Sequence, residues 1–322
     1  MRRMEILKSR RIGALELRNR VVMPPMATGL ATESGEVTEE LIEHYRARAP
    51  WIGLVIVEHS YVQISGKLSA NQLGAYSDEL VSGLRRLAES VKVEGAPVAL
   101  QINHAGVKAD PKLTGQSAVG PSAIRGARRM GEVDIQETVD AFGEAAGRAV
   151  EAGFDVVEIH GAHGFLLNQF TSPITNRRTD SYGGDLENRV RFPLMVVERV
   201  KGETSGRAQI WYRLGADDLD PNGNTPEDAG AMAGLLAEAG VEVFDVSGGV
   251  CGSRPSSISG PGYFAYAASA VKEATGRPVV AVGGIRTPED AEEVISRWGV
   301  DLVAVGRALL EDPEWGKKAY ED

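Results

Sequence analysis

A short run of β-branched and other apolar residues, followed by an amphipathic stretch, recurs eight times along this chain. The runs are "RVVM" (20–23), "GLVIVE" (53–58), "VALQI" (98–102), "DVVEI" (155–159), "QIWYR" (209–213), "EVFDV" (242–246), "VVAV" (279–282) and "DLVAV" (301–305). Runs that are nearly apolar throughout, rather than alternating, read as parallel strands buried on both faces. The stretches between them carry helix start signals. "TEELIEHY" opens at Thr38, and "TPEDA" occurs at 225–229 and again at 287–291. In both copies threonine suits the N-cap and proline the first helical position, and the acids complement the positive end of the helix dipole. Glycine marks helix ends in "EAG" (238–240) and "EATG" (273–276).

Eight such units with no linker or low-complexity segment predict one α/β domain over residues 1–322, a (β/α)8 TIM barrel. A doubly wound open sheet is the alternative; the count of eight and the lack of an early GxGxxG disfavour it. Two segments depart from the alternation. Residues 1–19 contain "RIGALELRN", which reads as a hairpin closing the barrel bottom, and residues 103–135 form a long excursion after the third strand. An excursion of that length inside a compact domain is usually functional.

Composition serves here to exclude. A net charge of −10 would repel a phosphate backbone, so no nucleic-acid partner is expected. No run approaches the roughly 18 consecutive apolar residues of a membrane span. The opening "MRRMEILKSRR" lacks the apolar segment of a secretory signal. Cys251 is the sole cysteine, which rules out an intrachain disulfide and a cysteine-ligated iron–sulfur or zinc site. The expectation is a cytoplasmic enzyme without a membrane partner.

Barrel enzymes work at the C-terminal ends of their strands. Of the five histidines, His59 falls just after the second run, His104 after the third, and His160 and His163 after the fourth, while His44 lies in a helix. Gln101 and Arg213 add an amide and a fixed cation at the ends of the third and fifth runs. The last two units, "VAVGGIRTPED" (280–290) and "VAVGRALLEDP" (303–313), end a strand in glycine and pass quickly into a helix. Phosphate sites in barrels are often built there, because glycine lets the backbone approach an anion and helix-start amides point at it. Arg307 supplies a guanidinium in the same place. The competing reading is that these glycines only make tight turns. A phosphate grip at one side and imidazoles at the other would suit a phosphorylated cofactor across the barrel mouth. Metal binding by the His160/His163 pair is disfavoured, since no third ligand is evident and catalytic sites generally need three.

From about Arg18 to Pro313 the chain resembles the Old Yellow Enzyme family, the FMN-dependent ene-reductases of the NADH:flavin oxidoreductase group. The segments that carry the likeness are "RNRVVMPPMAT" (18–28), "LIEHYRARA" with "GLVIVEHSYV", "LQINHAG" (100–106), "AVGPSAI" (118–124) and "GFDVVEIHGAHGFLLNQFTSPITNRRTDSYGGDLENRVRF" (153–192). The resemblance implies FMN, with NADH or NADPH as electron donor. It implies that Pro24, Pro25, Met26 and Ala27 lie along the flavin, with His59 at a further contact position where relatives carry a smaller residue. Gln101 would bond the pyrimidine edge of the flavin. Arg213 would sit where charge collects on reduction, and Gly284, Gly306 and Arg307 would hold the phosphate. His160 and His163 match the pair that grips the oxygen of an electron-poor alkene, withdrawing electrons from the conjugated C=C so that hydride can attack it. Many relatives are dimers or tetramers, so a homo-oligomer is implied as well.

The chain departs from that pattern in four places. Phe165 stands where many relatives have a proton-donating tyrosine, and phenylalanine cannot donate. The expectation is that water, Tyr61 or Tyr182 supplies the proton. "HAGVK" (104–108) replaces the common HAGR, leaving Val107. Gly29 stands where some relatives have an aromatic, which predicts a roomier pocket. The sequence ends at Asp322, before the iron–sulfur segment of the larger relatives, so electrons are expected to pass directly from NAD(P)H in a ping-pong cycle. The alternatives to an ene-reductase are a quinone or nitro reductase and an FMN-binding barrel without turnover that serves as a binding partner.

Overall fold

The computed structural model describes residues 4–321. A hairpin of β1 (Arg10–Ile12) and β2 (Leu15–Leu17) precedes β3 (Val21–Met23), β4 (Leu54–Tyr61) and β5 (Val98–Asn103). The excursion after β5 carries a two-residue ladder of β6 (Val119–Gly120) and β7 (Arg128–Arg129). Five strands follow: β8 (Val156–Gly161), β9 (Gln209–Asp217), β10 (Val243–Gly248), β11 (Val279–Val282) and β12 (Leu302–Ala304). Eight strands close into a parallel barrel in the order β3-β4-β5-β8-β9-β10-β11-β12, with β12 back on β3. All eight apolar runs thus become the eight barrel strands, and the fold is the expected (β/α)8 barrel.

Alternation along each strand sorts side chains between two cores. One parity faces the helices: Val55, Val57, Leu100, Val157, Ile210 and Phe244 join the large outer cluster. The other parity fills the barrel: Val22, Leu54, Ile56, Ala99, Val156, Trp211, Val243, Val280 and Leu302 form an inner cluster with Ile12 and Leu17 of the hairpin. The hairpin therefore plugs the bottom as its sequence suggested, and Gln209 Nε2 at the start of β9 donates to Ile12 O at 2.7 Å.

The helix start signals operate as read. Thr38, Thr225 and Thr287 each accept a hydrogen bond from the third residue on, and Asp228 and Asp290 return a bond to the cap backbone, completing capping boxes. Gly240 and Gly276 end their helices. No helix among the described residues is long and apolar enough to cross a membrane.

Candidate active site

Two residues above the apolar floor, the same inward parity turns polar. Gln101 on β5, Glu158 on β8, Arg213 on β9 and Asp245 on β10 follow Ala99, Val156, Trp211 and Val243. Arg213 Nη1 pairs with Asp245 Oδ2 at 2.5 Å, and both are buried. Gln101 Nε2 donates to Glu158 Oε1 at 2.8 Å. Burial, followed by the Asp245 charge, holds the Glu158 carboxyl well above the usual carboxylate range, against the pull of Arg213 and Gln101. Burial likewise raises Asp245, against Arg213. Left without partners are Gln101 Oε1, Glu158 Oε2, Arg213 Nε and Asp245 Oδ1. A row of buried, half-satisfied polar atoms is costly unless something else completes it.

Above this row opens a cavity of about 460 Å³, at the C-terminal strand ends. Pro24, Pro25, Met26 and Ala27 line it just after β3, and Gly284, Gly306 and Arg307 line it just after β11 and β12. His59, His160, His163, Phe165 and Arg213 complete the set of sequence-selected residues on its wall. Gln101 is not on the wall; it lies fully buried in the polar row.

His160 is the next inward position after Glu158. Its Nδ1 accepts from Ala162 N at 3.3 Å, so the ring proton sits on Nε2. Burial first, then the charges of His163, His59, Arg213 and Lys108, depress its pKa well below the usual imidazole value. His163 follows in a left-handed conformation at φ 59°, which is sparsely populated by non-glycine residues and concentrates at functional sites. Three contacts hold it there: His163 N donates to Gly248 O at 3.1 Å, Lys108 Nζ donates to His163 O at 2.6 Å, and Nε2 meets Ser247 Oγ at 2.8 Å. Burial, then Arg213, lowers its pKa well below the usual value too. The two rings meet edge-on with centroids 5.1 Å apart. Both are therefore neutral near neutral pH, able to donate a hydrogen bond without bringing a charge of their own.

His59 reaches the cavity by an irregularity. Strict alternation after Leu54 and Ile56 would turn it outward, but the register between β4 and β5 slips between Val57 and Ser60. A one-residue slip exchanges the two faces of a strand. Its Nδ1 accepts from Gln72 Nε2 at 2.9 Å, and burial lowers its pKa to about 4. His104 is structural: it is buried off the cavity, with Nδ1 accepting from Gly106 N and Nε2 against Ser65 Oγ.

Phe165 is a wedge. Its ring stands edge-on to His160 at 4.8 Å and packs with Ala105, Ala109, Ala118 and Ala127 of the excursion. Val107 joins that cluster, and its N–H donates to Gln169 Oε1 at 3.1 Å. Gln169 Nε2 also donates to Ala105 O and Gly164 O, so one buried amide clamps the excursion to the loop after β8. The two tyrosines expected as proton sources are elsewhere. Tyr61 donates to Ser34 O and stacks on Tyr76, Tyr182 sits by Met195, and neither lines the cavity; Tyr263 does, with its hydroxyl on Ser253 O at 2.8 Å. Gly29 also lies off the wall.

At the phosphate-type end the glycines serve two purposes. Gly284 has φ +64°, and a Cβ there would collide with Gly260 O, so the turn itself demands glycine. At Gly306 a Cβ would meet Met26 Sδ at 3.1 Å, a milder restriction beside the cavity. Arg307 is exposed there and makes no ion pair among the described residues.

Sequence reasoning missed Glu158, Asp245, Ser247 and Gln169. For the acids a signal existed: each stands alone inside an otherwise apolar strand, in "DVVEI" and "EVFDV".

The profile of the NADH:flavin oxidoreductase / NADH oxidase family matches residues 6–322. An NADH oxidase of Thermoanaerobacter brockii is 44% identical over 97% of this chain and 50% of its own length, so this chain spans about half of that relative. An NADPH dehydrogenase of Geobacillus sp. (strain WCH70) is 40% identical over 97% of this chain and 92% of its own. Among solved structures, the old yellow enzyme homologue from Zymomonas mobilis superposes with a TM-score of 0.87 at 25% identity, covering 98% of this chain and 92% of that one.

Proposed function

The chain belongs to the NADH:flavin oxidoreductase / NADH oxidase family, and from that premise we propose that it binds FMN at the barrel mouth and uses NADH or NADPH to reduce electron-poor C=C bonds conjugated to a carbonyl or nitro group. The residues present fit that cofactor. Arg213, on the cavity wall, keeps an unpartnered Nε donor, and Gln101, in the polar row beneath, keeps an unpartnered Oε1 acceptor, a donor and an acceptor such as an amide-rich heteroaromatic ring requires once Gln101 is brought to it. The walls after β3 and His59 are apolar or flat, and Arg307, without an ion pair among the described residues, offers a charge for a phosphate. In this reading Pro24 to Ala27, His59, Gln101 and Arg213 hold the ring system, and Gly284, Gly306 and Arg307 hold the phosphate. When bound, FMN supplies a two-electron carrier that mediates between the nicotinamide donor and the acceptor in a ping-pong cycle.

The observation that carries the proposal is the neutral imidazole pair facing the cavity. His160 Nε2–H, with His163 beside it, binds the oxygen of the acceptor and stabilises the negative charge that develops there. Ser247, by donating to His163 Nε2, would place the His163 proton on Nδ1. Because burial keeps both rings neutral, they polarise the acceptor without protonating it. Phe165 cannot give the α-carbon its proton, which favours a second reading, reduction of quinones or nitro compounds that need no such donor. One experiment tests both. Anaerobic NADH and NADPH should bleach the visible band of the purified yellow protein, and cyclohexenone, a maleimide and menadione should each be tried as reoxidant. Bleaching without reoxidation by either alkene, alongside rapid reoxidation by menadione, would replace the first reading by the second. Protein that takes up FMN but is bleached by neither nucleotide would defeat both.

A further inference from the structure

The cavity wall carries Lys108, Arg213, Arg254, Arg286 and Arg307 and no aspartate or glutamate, in a chain whose net charge is −10. Arg213 is answered by Asp245, and the proposed phosphate accounts for Arg307. Lys108 is not accounted for. It belongs to the excursion after β5, yet its ammonium lies beside the imidazole pair, donating to His163 O at 2.6 Å and standing 5.1 Å from the centre of the Phe165 ring. An ammonium has three donors, and one is used. Among the described residues it makes no ion pair, and the charge that acts on it is the Arg125 guanidinium, of the same sign. Arg125 is exposed at a left-handed φ of 52° in the same excursion and makes no ion pair among the described residues either. The residue is exposed as a whole, while its ammonium is turned inward; desolvation first, then Arg125, lowers its pKa.

This cation is placed, not trailing in solvent. Gln169 ties Val107 to the loop after β8, Leu166 N donates to His104 O at 3.0 Å, and the alanines of the excursion pack on Phe165. Holding an ammonium on the cavity wall without a counter-charge is unfavourable in the empty protein, and an anionic ligand reverses the sign of that cost.

We propose that Lys108 forms a subsite for an oxyanion, a carboxylate or a phosphate, on a molecule that enters beside His160 and His163. This rests on the reading of the imidazole pair given above. Two molecules that would share the cavity in turn could bring the anion: the acceptor, as a carboxylate beyond its carbonyl, or the nicotinamide donor, as its pyrophosphate.

The test uses the holoenzyme with (E)-4-oxopent-2-enoic acid and its methyl ester, which differ at physiological pH by one carboxylate charge. With the acceptor as source, kcat/KM for the acid exceeds that for the ester about tenfold or more, as a charge-assisted hydrogen bond provides. That ratio falls toward unity in Lys108→Met and survives in Lys108→Arg. A ratio cancels any general harm to His163 from losing the bond to its carbonyl. Calorimetry of the saturated 4-oxopentanoate on the oxidised holoenzyme gives a readout without turnover: Lys108→Met weakens binding about tenfold, and added salt weakens the wild type more than the variant. With the donor as source, the acid/ester ratio is unmoved, and the dissociation constants of NADH and NADPH in the reductive half-reaction rise about tenfold in Lys108→Met. If the ratio, 4-oxopentanoate binding and nicotinamide binding are all unchanged, the subsite is refuted. Failure of wild-type enzyme to reduce even the ester would instead count against the reductase reading, and 4-oxopentanoate binding would still decide the subsite.

Discussion

The floor and the mouth of this barrel are made by the same strands, one pleat apart. On β5, β8, β9 and β10 the floor residues are Ala99, Val156, Trp211 and Val243, and the mouth residues above them are Gln101, Glu158, Arg213 and Asp245. The floor satisfies itself. Its side chains fill the interior and are capped by Ile12 and Leu17, and the one polar atom Trp211 brings, Nε1, donates to Gln209 Oε1 at 3.0 Å. The mouth does not: each of its four polar side chains keeps an unpartnered atom. Stability is placed where packing can be completed by the chain, and unfinished polarity where a ligand can finish it.

That contrast can be broken at its floor first. Trp211→Ala should cost about 3–5 kcal/mol in denaturant unfolding, because a large inner side chain leaves a cavity that rigid strands cannot close. Turnover per bound flavin should stay within a few-fold; if it collapses with stability, the two layers are not separable. At the mouth the signs reverse. His160→Ala should lower acceptor reduction by about 10²–10³-fold, the loss expected for one donor to a developing oxyanion, with the unfolding midpoint nearly unmoved. A variant that unfolds early but still turns over would put His160 with the floor.

Acid should sharpen the comparison next. The pKa of His104 is lowered by burial from 6.5 to about 4, so the unfolded chain binds the proton first as pH falls. The stability tied to its neutral form is fully present above about 6.5 and lost as pH falls through about 4, amounting to roughly 3 kcal/mol at the acid limit. His104→Gln should flatten the pH dependence of the unfolding midpoint in that window, and an unaltered slope would show that the ring titrates freely. The smallest effect lies outside both layers. Thr225→Ala should cost about 1 kcal/mol through the lost cap on the helix Pro226–Ala239, without changing flavin affinity.

Local pattern alone determined the strand count, the helix caps, the closing hairpin and the placement of His160 and His163 at a strand end, whereas the division of each strand between floor and outer core emerged only on closure. The former depend on periods of about two and 3.6 residues and on capping chemistry, which are properties of short stretches of chain. Tertiary structure decided the rest. A register slip between Val57 and Ser60, invisible in "GLVIVEHSYV", turned His59 into the cavity. The partners of Gln101 and Arg213 lie on neighbouring strands 57 and 32 residues away, and closure of the barrel brings them together. Tyr61 and Tyr182, chosen by residue type, were carried away from the cavity, while Lys108 was brought to His163 across 55 residues by the folded excursion. A sequence shows which groups a chain owns; which face they take and which of them meet are fixed only when distant segments pack, because register and closure are set jointly by the whole barrel.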